Sequence, residues 1–143
     1  MSKHDALQHL LVAVVNTSFS GTMINSKEEA LFNKLMKTIG IPRDYDGFLD
    51  YFENGRFIIN GLDSTIEEAL KVTKGCRREW RVEVYGYMCI MAKWDHDHDF
   101  SNIDENKLSE NELTILFRTR EYLGITEEED DPEVRAALHH KFS

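Results

Sequence analysis

Proline is nearly absent from this chain: Pro42 and Pro132 are the only two in 143 residues. Long helices can therefore run unbroken, since proline is the residue that stops them. Cysteine is equally scarce. Cys76 and Cys89 lie thirteen apart in sequence, so neither a C-x-x-C redox motif nor a zinc ribbon is signalled. Two thiols and no signal peptide point to a reducing cytoplasm. No apolar run reaches membrane-spanning length, and the longest near the N-terminus, Leu10 to Val15, is far too short. Positive charge is the last scarcity. Lys and Arg number 17 against 26 Asp and Glu, a formal charge of −9, which disfavours nucleic acid as a partner. The one basic cluster, Lys74, Arg77, Arg78 and Arg81, reads as a solvated helix face.

What remains is an ordinary soluble composition, 41% apolar and 30% charged, in a chain of single-domain length, 1–143. Helical periodicity dominates it. Residues 5–18 place Leu7, Leu10, Leu11, Val14 and Val15 on one face, at the spacing of an amphipathic helix. A break follows at Ser18 to Met23. Asn25 with Glu28, or Ser26 with Glu29, then offers a capping box. Leu31, Phe32, Leu35, Met36 and Ile39 form the next stripe, and Gly40 with Pro42 beyond it marks the stop.

Residues 44–54 repeat the helical spacing with Tyr45, Phe48, Leu49 and Phe52. Asn54-Gly55 ends that helix, and Phe57, Ile58 and Ile59 cross as an extended link. Ser64-x-x-Glu67 opens another helix, closed near Gly75. Residues 76–94 are apolar nearly all round in their second half, which makes them the expected central helix. Ser109-x-x-Glu112 caps a further helix, with Leu113, Leu116, Phe117 and Leu123 facing inward and Gly124 ending it. Glu127 to Asp131 is a charged hinge. Asp131-Pro132 opens a short last helix over about 131–141. The expected fold is all-α, a single-domain helical bundle of six or seven helices.

Two stretches match without a gap. Ile24 to Ile41 reads I-N-S-K-E-E-A-L-F-N-K-L-M-K-T-I-G-I, and Leu108 to Ile125 reads L-S-E-N-E-L-T-I-L-F-R-T-R-E-Y-L-G-I. Glu28 falls on Glu112, Leu35 on Thr119, Ile39 on Leu123 and Gly40 on Gly124. Each is preceded by an apolar helix and a polar loop, so the chain reads as two helix–loop–helix units, about 5–41 and 76–125.

The most chemically loaded stretch is W-D-H-D-H-D-F-S-N-I-D-E, Trp94 to Glu105. Asp95, Asp97 and Asp99 alternate with His96 and His98. In extended backbone the carboxylates share one side; on a continuing helix Asp95 and Asp99 share a face. Either arrangement gathers oxygens suited to Ca²⁺, and the imidazoles add affinity for Mn²⁺ or Zn²⁺. The EF-hand template fails, because Phe100 stands where its glycine belongs and Asn106 where its bidentate glutamate belongs. Glu112, at the far end of the stretch, completes the candidate ligand set or simply caps its own helix. A solvated acidic loop is the bland alternative. His4, His139 and His140 lie near the ends and read as solvated, and His9 as helix surface. The aromatics Tyr45, Tyr51, Phe52, Trp80, Tyr85, Tyr87 and Trp94 read as core.

These elements resemble the tellurite-resistance TerB family. The second unit carries the likeness best, through Ala92 and Asp95, then Leu108, Ser109 and Glu112, then Leu123, Gly124 and Ile125. The first keeps Gly21, Ile24, Glu28, Ile39, Gly40 and Ile41, without the loop aspartate. The resemblance implies an all-helical fold, a link to stress or metal-ion response and no established enzyme activity. The favoured expectation is thus a non-enzymatic binding module, holding a divalent ion or a basic protein partner at the acidic loop. The rivals are a metal-dependent hydrolase built on Asp95, His96, Asp97 and His98, and a purely structural adaptor.

Overall fold

The computed structural model describes residues 1–15, 24–51, 61–96 and 110–130. Among these there are six helices and no strand: α1 Lys3–Val15, α2 Ser26–Ile39, α3 Tyr45–Tyr51, α4 Gly61–Lys74, α5 Arg78–His96 and α6 Glu110–Leu123. The all-α expectation holds for the described residues. The 57–59 link, the Ser109 cap and the 131–141 helix lie outside them.

Two helices make the centre. From Ala6 to Val14 every residue of α1 is buried, and from Val84 to Ala92 every residue of α5 is buried. Neither run contains a charged side chain, which is what lets a helix be enclosed on all sides. α1 packs most extensively on α4 and also meets α5 and α6; α2 meets α5 and α3. The one-sided burial expected for α1 is therefore wrong, and α5 shares the central place with it. Gln8 and His9 complete the circumference of α1 and are enclosed with it, at 0% and 3% exposure.

The ends of α2 follow local chemistry. Asn25 is its N-cap: its side chain accepts from Glu28 N–H, and the Glu28 carboxylate accepts from Asn25 N–H, both at 2.8 Å. Gly40 stops the helix at φ +91°, a conformation that costs an L-residue about 1–2 kcal/mol. Ile41 N–H then closes back on Met36 O at 2.8 Å. The end of α6 is built alike: Gly124 has φ +68°, and Ile125 N–H reaches Arg120 O at 3.0 Å. Both closures leave the following isoleucine, Ile41 or Ile125, buried, as the Schellman motif favours. Leu35 and Thr119 are both buried, whereas Ile39 is half-buried and Leu123 buried.

Three local expectations are corrected. α4 begins at Gly61, so Ser64 sits inside a helix rather than capping one. Phe117 is 45% exposed, and Leu113 is half-buried. On α6 the buried stripe is instead Glu112, Ile115, Leu116, Thr119 and Leu123. Thr119 joins it because its hydroxyl donates to Ile115 O at 2.8 Å, which satisfies the one polar group it brings. The charged hinge at Glu127 is a closed turn: Asp130 N–H bonds Thr126 O at 2.9 Å.

Candidate functional site

The acidic stretch leaves the last turn of α5. Asp95 and His96 extend that helix, so its backbone is helical through the first two candidate ligands. Asp97, His98 and Asp99 lie outside the described residues, as do residues 100–109. The chain returns at the first turn of α6, where Glu112 is 4% exposed. α5 and α6 pack on each other, so the stretch connects two helices in contact. Among the described residues no three His, Cys, Asp or Glu side chains are grouped as metal ligands would be.

Glu28 occupies the corresponding place on α2 and is 5% exposed. Its carboxylate is accounted for by the Asn25 box and by the positive end of the helix. Glu112 sits at the same depth in α6. A carboxylate so withdrawn from water is tolerated only with compensation, and the positive end of α6 is one source of it.

A second polar site was not legible in the sequence. Arg43, from the α2–α3 link, reaches the face of α1. Its guanidinium pairs with Asp5 Oδ1 at 2.6 Å and donates to Gln8 Oε1 through both Nε, at 2.7 Å, and Nη2. Gln8 Nε2 returns a bond to Arg43 O at 2.8 Å and lies 3.4 Å from Met36 Sδ. The guanidinium also lies over the Tyr51 ring, 4.3 Å from its centroid. Burial would raise the Asp5 carboxyl, but Ser2 N–H and hydroxyl together with the Arg43 charge outweigh it and hold it below its ordinary value. Expected at the surface, His9 instead packs edge-on to Phe48 at 4.8 Å. Burial lowers its imidazole to about 4; Asp5 opposes that shift and Arg43 adds to it. This cluster ties α1 to the 41–44 link and to α3. The available signal was a glutamine and a histidine inside an otherwise apolar run, residues 6–14.

The basic cluster is largely the exposed face expected of it, and three of its members have identifiable contacts. Arg78 pairs with Glu129 at 2.5 Å and donates to Gly124 O at 3.2 Å. Arg81 Nε donates to Cys76 O at 3.1 Å, and Lys74 Nζ lies 4.7 Å from the Tyr122 ring centroid. Lys74, Arg77 and Arg78 are exposed, and Arg81 is half-buried. An open groove of about 450 Å³ lies here, lined by Arg78, Glu79, Val82, Glu128 and Glu129. Its carboxylates and its arginine already form a mixed-charge wall, unsuited to a broad polyanion.

Among the described residues no helix is long and apolar enough to cross a membrane. No protein-family model, curated protein or solved structure matches the chain.

Proposed function

We propose that this chain is a non-enzymatic, TerB-like binding module that holds a divalent cation at the acidic stretch 95–105, with Glu112 closing the site. The reading includes a pseudo-repeat, in which units 5–41 and 76–125 are copies and the stretch is an elaborated second loop. It also places the protein in a stress or metal-ion response.

One observation carries the ion site: a buried carboxylate, Glu112, stands in the first turn of α6, at the far end of a stretch that leaves the partner helix α5 through Asp95 and His96. A divalent cation held by the stretch would bring positive charge to that carboxylate, in addition to what the helix N-terminus gives. The matched closures at Gly40–Ile41 and Gly124–Ile125, and the equal depth of Glu28 and Glu112, favour the repeat.

Calorimetric titration with Ca²⁺, Mn²⁺ and Zn²⁺ tests it, alongside melting at matched ionic strength. Binding to the folded state alone adds about 2.7 kcal/mol at free ion a hundredfold above Kd. The expected result is saturable heat and a raised Tm, both lost in Asp95→Asn/Asp97→Asn. If monovalent salt at equal ionic strength stabilises as well, or the double variant responds as wild type does, the stretch is only a solvated acidic loop.

A further inference from the structure

Independently of any metal, the end of α6 carries a second feature of chemical interest. Thr126 is exposed and opens the 127–130 turn. Glu127, Glu128, Glu129, Asp130 and Asp131 follow it without interruption. No other serine or threonine in the chain precedes so long an acidic run. Three donors converge on a single oxygen, Glu129 Oε1: Thr126 N–H at 2.9 Å, Thr126 Oγ at 3.0 Å and Arg78 Nη2 at 2.5 Å. The Arg78 side chain is half in solvent, at 50% exposure, so its guanidinium is free to re-aim.

We propose that Thr126 is a phosphorylation site for a Ser/Thr protein kinase that reads acidic residues after its target, and that the phosphate takes Arg78 from Glu129. In the transfer, Thr126 Oγ attacks the γ-phosphorus of ATP. The Oγ–P bond forms as the bond to the bridging oxygen breaks; ADP leaves, and the hydroxyl proton passes to the kinase base. The acidic run supplies complementary charge for a basic kinase cleft.

The consequence follows from the three-donor node. Phosphorylation removes the Oγ–H that bonds Glu129 and sets about −1.5 to −2 charges beside its carboxylate. The two anions repel, and the guanidinium goes to the more highly charged partner, whose oxygens accept it bidentately. Glu129 then releases Thr126 N–H, which undoes the reciprocal cap of the turn. The Arg120–Asp130 pair at 3.1 Å loses the turn that positions it.

The test is to treat the full chain with ATP and an acid-directed kinase, map the phosphate by mass spectrometry and follow ³¹P and amide exchange by NMR. The expected result is phosphate on Thr126, none there in Thr126→Val, and at least tenfold faster exchange at Glu129 and Asp130. The Arg78 partner should also make the phosphate titrate at lower pH than in Arg78→Ala. Thr126→Val with native circular dichroism controls for folding. Phosphate confined to other residues overturns the site; phospho-Thr126 with unchanged exchange, or with the same titration in Arg78→Ala, overturns the handover.

Discussion

Gln8 shows how much one enclosed polar side chain can decide. It spends its carbonyl on the Arg43 guanidinium and its amide on Arg43 O, so a residue of α1 fixes the path of the α2–α3 link. Gln8→Leu keeps the volume and leaves both Arg43 groups without that partner, which should cost about 2–3 kcal/mol in urea denaturation. His9, beside it, ties stability to pH. Its folded pKa of about 4 lies below the ordinary 6.5, so between those values the unfolded chain binds the extra proton. Stability is full above 6.5, falls as pH drops through the window, and the loss reaches about 3 kcal/mol near pH 4. His9→Phe should flatten this stretch of the stability profile. Asp5, whose carboxyl is also lowered, adds a loss in the same sense, but one that begins only toward and below its ordinary 3.8, so the two are separable in one acid titration.

Three helix ends among the described residues carry signals that the sequence shows. The Asn25–Glu28 box, the Gly40 stop and the Gly124 stop all act within a turn or two of sequence, and each stands where the residues put it. Gly40→Ala and Gly124→Ala should each cost about 1–2 kcal/mol, because both positions hold positive φ and an added Cβ meets no neighbouring atom within 4 Å at either. The loss should appear as matched shifts in thermal melting, backbone strain being the shared cause. The α4 start failed for an equally local reason. Ser64-x-x-Glu67 fits a capping box on paper, yet the helix begins at Gly61; a capping pattern states that a helix can start there, not that the chain upstream leaves the helix.

Among the described residues, the arrangement is a charge-free section of α1, residues 6–14, beside a charge-free section of α5, residues 84–92, with the other helices distributed around them. Leu11, 0% exposed on α1, should cost about 2–5 kcal/mol when cut to alanine. Phe117→Ser on α6 should fall within about 0.5 kcal/mol, as surface changes do, since that ring is 45% exposed. The reverse order in chemical denaturation would restore the inward Phe117 of the periodicity. Of the candidate ion ligands, sequence could nominate Asp95, His96, Asp97, His98, Asp99 and Glu112 by chemistry, and the structure adds the burial of Glu112 and the helical backbone at Asp95 and His96. The sequence by itself determined the helical class and the glycine stops of α2 and α6, and narrowed the N-cap of α2 to Asn25 or Ser26, because capping and periodicity are interactions among near neighbours. Tertiary structure alone decided that α1 is enclosed on every side, that Phe117 faces out, and that Arg43 meets Asp5 and Gln8. Those outcomes depend on which surfaces the packed helices bury, and on side chains 35 and 38 positions apart, a reach no local pattern encodes.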